Sequence, residues 1–142
     1  KMPGAQELLD QITADQLTRV VVTGSGQASL LDRLTRHYPG IFAPEHIVSS
    51  MDVKHGKPDP EPYLMGLEKA GVQPWEAIVV ENAPLGVRAG VAAGIFTIAV
   101  NTGPLPESAL LDEGAHLLFP SMQALAEAWP QLRQLFGLAP QD

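Results

Sequence analysis

A three-layer α/β/α arrangement around a parallel sheet is the fold class that this 142-residue chain predicts, and three observations carry it. Five apolar runs of strand length recur without polar alternation, segments of helical period separate them, and most glycines and prolines fall in the intervening loops. Unalternating apolar runs suit strands covered on both faces. Strand alternating with helix in turn implies right-handed crossovers, and hence a parallel sheet flanked by helices on both sides.

The elements follow in order. Met2-Pro3-Gly4 reads as a loop before a helix, and the first strand is expected over residues 20–22. Leu30, Leu31, Leu34 and Tyr38 then have helical spacing, and residues 46–48 form the second strand. Asp59 and Pro60 open a helix whose apolar positions are Tyr63, Leu64 and Leu67, since proline is favoured in a first helical turn. Residues 77–80 make the third strand, followed by a helix from Pro84 with Val87 and Val91 inward; residues 96–100 make the fourth, followed by a helix with Leu110 and Leu111 inward. After a fifth strand over 116–119, residues 121–136 carry an apolar stripe of Met122, Leu125, Leu132 and Leu135. Ser121 is its expected N-cap, and Pro130, which lacks an N–H, predicts a break or kink.

Composition narrows the function. The length and 45% hydrophobic content suit a single domain, residues 1–142, with its own core. A formal charge of −7 without any basic run argues against nucleic acid and anionic membrane as partners. Without cysteine there is neither a disulfide framework nor thiolate chemistry. Apolar runs reach about five or six residues against the ~20 that span a bilayer, so a cytoplasmic protein is expected.

Ligands of parallel sheets collect beyond the carboxyl ends of the strands, and three motifs fall there. Thr23 follows the first strand, and Gly24-Ser25-Gly26 offers bare backbone to a ligand. A phosphate could take the Thr23 hydroxyl and one or two N–H groups of Gly24 and Ser25; an ordinary strand-to-helix turn is the plainer alternative. Lys57, between Gly56 and Pro58, is stiffly aimed by the proline, and an ammonium there serves phosphate as a point charge. An exposed loop lysine is the alternative, and neighbouring Lys54 and His55 read as solvated. His37, His46 and His116 stand singly, without ligand spacing. Glu81 and Asn82 emerge where the third strand ends, and such hard oxygens suit Mg²⁺. Alternatively, Asn82 caps the helix beginning at Pro84 and Glu81 answers that helix's dipole.

Taken together, Thr23, Gly56-Lys57-Pro58 and Glu81-Asn82, with the strings GKPDPEPYL and ENAPLGVRAGVAAGI, resemble the second, third and fourth motifs of the haloacid dehalogenase superfamily. Within it the likeness is to phosphatases and phosphomutases related to β-phosphoglucomutase, and it runs from about Pro3 to Leu135. The resemblance implies a Rossmann-like core and a Mg²⁺-dependent phosphatase acting on a small phosphorylated metabolite through an aspartyl phosphate. On that pattern Thr23 binds the transferring group, Lys57 steadies it, and Glu81 with Asn82 holds Mg²⁺. Relatives often carry aspartate where Asn82 stands, which implies weaker metal binding here. The family's Asp-x-Asp nucleophile pair occurs nowhere in the sequence. The expectation is therefore a core lacking its first strand and helical cap, beginning just after the cap, and inactive until the missing amino-terminal segment of the same protein joins it. That strand belongs mid-sheet, between the strands ending at Thr23 and Glu81.

Other readings stay open. A phosphomutase, or a phosphate- or metal-binding module without catalysis, would use the same residues. More remotely, Gly24-x-Gly26-x-x-Ser29 with Glu45 imitates a dinucleotide-binding turn, though its third position is not Gly or Ala. Ser25 as a hydrolase nucleophile is disfavoured by Thr23, which stands where a strained elbow wants glycine.

Overall fold

A computed structural model describes residues 3–24, Arg36, Tyr38 and residues 44–137. Helix α1 (Ala5–Ala14) leads to strand β1 (Val21–Val22), and strand β2 (Ile47–Val48) follows a short turn of 3₁₀-helix, Pro44–His46. Then come α2 (Glu61–Ala70), β3 (Ile78–Glu81), α3 (Pro84–Ala92), β4 (Phe96–Val100), α4 (Glu107–Leu111), β5 (Leu117–Phe119) and α5 (Met122–Leu135). Every strand pair is parallel, as the sequence predicts. The helix expected around Leu30, Leu31 and Leu34 lies outside the described residues.

Strand β4 is the centre of the molecule, and its alternation divides the core. Ile98 and Val100 face Leu8 of α1 and Leu125, Ala126, Trp129 and Leu132 of α5. On the opposite face, Ala99 packs with Val87 of α3 and Leu110 of α4. A third cluster joins Tyr63 and Leu67 of α2 to Val79 of β3, Ala89 of α3 and Ala93 at that helix's C-cap, with Val22 of β1 against it. Helices thus cover both faces of the sheet. Gly90 permits one of these close approaches, because a Cβ there would meet Thr97 Oγ1 at 2.7 Å and Val79 Cγ1 at 3.2 Å.

The ladders are two, not one. β1 pairs with β2 through Val21↔Ile47 and Val22↔Val48, while β3, β4 and β5 form a separate three-stranded sheet with Ile78 opposite Phe96 and Ile98 opposite Leu117. Among the described residues no ladder joins β1 to β3. Val21 and Val22 are only half-buried, and Val80 is 39% exposed, unlike residues of a strand sheltered on both faces. This interval is where the family resemblance implies a further strand.

Three helical positions expected in the core face solvent instead: Leu64, Leu111 and Leu135. Each neighbours a residue that takes the inward place, Tyr63, Leu110 and Leu132 respectively. α5 also departs from expectation, since it runs unbroken through Pro130. A proline leaves the carbonyl four residues earlier without its helical donor. Here that carbonyl, of Ala126, accepts a 2.9 Å hydrogen bond from Gln11 Nε2 of α1, so the orphan is satisfied from another helix. Ser121 Oγ accepts from the Ala124 N–H at 3.0 Å, the expected N-cap. Asp15 adds a further tie between the same helices, accepting from Trp129 Nε1 and Arg133 Nε at 2.8 and 2.9 Å. Gln11→Leu should destabilise the protein by about 1–3 kcal/mol, the cost of an unpaired buried carbonyl. A urea titration measures it, and an unchanged midpoint would show that the Ala126 carbonyl needs no partner.

Candidate active site

The carboxyl ends of β1 and β3 are brought together by one side chain. Lys57 donates from Nζ to the Val22 carbonyl at 3.1 Å, and the same ammonium forms an ion pair with Glu81 Oε1. It therefore spans the interval between the two ladders. Tyr63, one turn into α2, donates its hydroxyl to Glu81 Oε1 at 2.5 Å, and the Lys57 ammonium lies 5.1 Å from the Tyr63 ring centroid. Thr23 extends the first ladder through its N–H, which donates to the Val48 carbonyl at 2.9 Å. Gly24, beside it, is exposed.

The loop carrying Lys57 is folded back by its own helix. Glu61, the first residue of α2, accepts from the backbone N–H groups of Lys54 and His55 at 2.5 and 3.2 Å and faces His55 Nδ1 at 3.4 Å. Asp59 accepts from the Glu61 N–H at 2.9 Å, and the Asp59 N–H donates to the Gly56 carbonyl at 3.0 Å. The Lys57–Pro58 peptide is cis. Glu61's carboxyl is held below its ordinary range, first by the His55 backbone N–H. A depressed carboxyl stabilises the folded loop above its unfolded pKa, and that contribution fades as pH falls through the folded value. At neutral pH the clamp is closed.

Glu81 is 8% exposed, and each of its oxygens has a defined environment. Oε1 is taken by Lys57 and Tyr63, while Oε2 has only long contacts, 3.2 Å from the Asn82 N–H and 3.4 Å from the Ala83 N–H. Those amides lead directly into α3, so the carboxylate lies at the positive end of that helix. Burial first, then the Glu81 charge, pushes the Tyr63 phenol far above its usual range. It stays protonated and is a donor at every physiological pH. Gly86 completes the cradle, because a Cβ at that position would overlap the Glu81 carboxylate. Asn82 does not cap α3 with its side chain, contrary to one of the readings above. Ala83 is the N-cap residue, and Asn82 Nδ2 instead donates to Thr102 Oγ1 at 3.1 Å, which leaves its amide oxygen for another partner.

Among the described residues there is no group of three His, Cys, Asp or Glu side chains that could hold a metal. The donors present are nevertheless of the right kind for a hard cation, since Mg²⁺ takes one or two protein carboxylates and completes its octahedron with water and phosphate. Glu81 Oε2 and the Asn82 amide oxygen fit two of those places. Ser25 lies outside the described residues, so of the expected phosphate loop only Thr23 and Gly24 are described. The dinucleotide alternative gains nothing: Glu45 is exposed in the turn before β2, and Gly26 and Ser29 lie outside the described residues. Tyr63 and Gly86 were missed as site residues. Tyr63 read as one apolar position of a helix and Gly86 as part of a string, and only the recurrence of both inside the distinctive motifs hinted at more.

Comparison with known proteins places the chain in a family. A family model described as haloacid dehalogenase-like hydrolase matches residues 1–100. Hexitol phosphatase A of Escherichia coli (strain K12) is 40% identical over 100 residues, 70% of this chain and 45% of that protein. The phosphorylated carbohydrates phosphatase of Thermotoga maritima is 35% identical over 118 residues, covering 80% and 52% respectively. A solved structure from Bacteroides vulgatus, provisionally named a beta-phosphoglucomutase, is 58% identical with a TM-score of 0.91, covering 95% of this chain and 54% of that one. The chain spans about half the length of the curated relatives it matches. No helix among the described residues is long and apolar enough to cross a membrane.

Proposed function

The chain belongs to the haloacid dehalogenase-like hydrolase family, in its β-phosphoglucomutase-like subgroup, and from that premise we propose that residues 1–142 form one core domain of a phosphatase for small phosphorylated metabolites. The single observation that carries the reading is the Lys57 ammonium, held between the Val22 carbonyl at the end of β1 and the Glu81 carboxylate at the end of β3. A strand from elsewhere in the same protein, bearing the Asp-x-Asp pair, would seat in the interval between those ladders. Among the described residues no ladder joins the facing edges of β1 and β3, which favours such an occupant, since each backbone group left unpaired on burial costs on the order of 1–3 kcal/mol.

In that assembly Lys57 neutralises charge on the phosphoryl group, and Thr23 with the backbone N–H groups of Gly24 and Ser25 binds its oxygens. Glu81 and Asn82 would hold Mg²⁺, which when bound polarises the phosphoryl oxygens. The incoming aspartate attacks phosphorus and its neighbour protonates the leaving alcohol, after which water cleaves the acyl phosphate. Tyr63 and Gly86 keep the Glu81 carboxylate in place throughout.

The relatives suggest the substrate class, because two of them are named for phosphorylated hexitols and carbohydrates. A phosphomutase is the second reading, favoured by the likeness to the Bacteroides vulgatus protein. One assay on the intact protein separates them: incubation with sugar and polyol monophosphates in Mg²⁺, then with EDTA. Release of inorganic phosphate that stops on chelation is expected. An isomerised sugar phosphate without release would favour the mutase, and no reaction with any substrate would favour a non-catalytic binding module.

A further inference from the structure

Resting on the reading of Glu81 and Asn82 as the metal-holding pair, we propose that Tyr63 is a positioning residue that sets the cation preference of the site, by keeping Glu81 Oε1 occupied so that only Oε2 is offered to a metal. The two oxygens are unequal in this structure. Oε1 has Lys57 and the Tyr63 hydroxyl, whereas Oε2 meets only two backbone N–H groups at 3.2 and 3.4 Å. The carboxylate cannot easily turn to present both, for Gly86 lies against it and any added bulk there would overlap it. Nor can Tyr63 readily leave. Its ring is buried in the cluster of Leu67, Val79 and Ala89, which fixes where the hydroxyl reaches.

Divalent cations respond differently to such a carboxylate. Mg²⁺ is small, octahedral and content with one oxygen from each carboxylate, while Ca²⁺ takes more oxygens and readily binds a carboxylate through both. A glutamate restricted to one oxygen therefore disfavours Ca²⁺ more than Mg²⁺. Lys57 shares Oε1 but also serves the phosphoryl group, so Tyr63 is the member of the pair whose removal isolates the metal effect.

The test is isothermal titration of the intact protein with Mg²⁺ alone and Ca²⁺ alone, for the wild type, Tyr63→Phe and Glu81→Gln, with a thermal melt of each to show that it is folded. Tyr63→Phe should lower the ratio of Mg²⁺ to Ca²⁺ affinity by about tenfold, the scale on which partners of metal ligands act. Calcium should also inhibit its phosphate release at correspondingly lower concentration. If Glu81→Gln loses Mg²⁺ binding while Tyr63→Phe keeps the wild-type ratio, the role given to Tyr63 is overturned and the metal site stands. If Glu81→Gln binds Mg²⁺ as the wild type does, the metal-site reading itself fails and this inference with it.

Discussion

Replacing Lys57 with alanine in the intact protein lowers kcat for p-nitrophenyl phosphate by about 10²–10³-fold, the loss typical of removing a fixed donor from a site where anionic charge develops. The argument rests on placement. Lys57 is the cation that joins the ends of β1 and β3, and the backbone around it is pinned by Glu61 and Asp59 rather than left to solvent. A surface lysine would have no reason to be anchored at both ends of its loop. The variant also leaves the buried Glu81 carboxylate with one partner fewer, although Tyr63 and the N–H groups of Asn82 and Ala83 remain. Some stability is lost with it, about 1–3 kcal/mol, which a thermal melt reads separately from turnover. Near-normal hydrolysis by a folded Lys57→Ala protein would remove Lys57 from the chemistry.

Gly86→Ala is expected to cost about 10²-fold in kcat/KM, although the residue donates nothing to a substrate. A methyl group at the first turn of α3 must displace the Glu81 carboxylate, and displacement of a catalytic group by about 1 Å can cost that much. The helix itself prefers alanine to glycine by about 1 kcal/mol, which offsets part of the strain. Activity and stability should therefore separate: a melting temperature within a few degrees of the wild type, with turnover greatly reduced. A variant of full activity would mean that the carboxylate relaxes freely, and the cradle would then have no functional meaning.

Much of this was legible in the chain itself. The five strands and their parallel order follow from apolar runs that never alternate with polar residues, and the rim positions of Thr23 and Glu81 follow from where those runs stop, whereas Lys57 lies well past its strand and reaches the rim through its loop. Less legible was anything that depended on a distant partner. Periodicity places Leu64, Leu111 and Leu135 near an inward stripe, yet neighbouring side chains fill the space, so a helix of correct phase still exposes its edge. Pro130 predicts a broken helix on local grounds, and only Gln11, far away in sequence, shows why α5 continues. Tyr63 looked apolar because its ring is. Its hydroxyl gains a role only when Glu81 arrives from another strand. The separation of β1 from β3 falls where the family resemblance implies a further strand, and periodicity alone gave no reason to expect it.

A crystal structure of the intact protein grown with Mg²⁺ and orthovanadate tests the central claim most directly. It should show the vanadate bound between the Thr23 hydroxyl and the Lys57 ammonium, with the cation on Glu81 Oε2 and a strand seated between β1 and β3. An anion bound elsewhere, with Thr23, Lys57 and Glu81 all untouched by ligand, would contradict it.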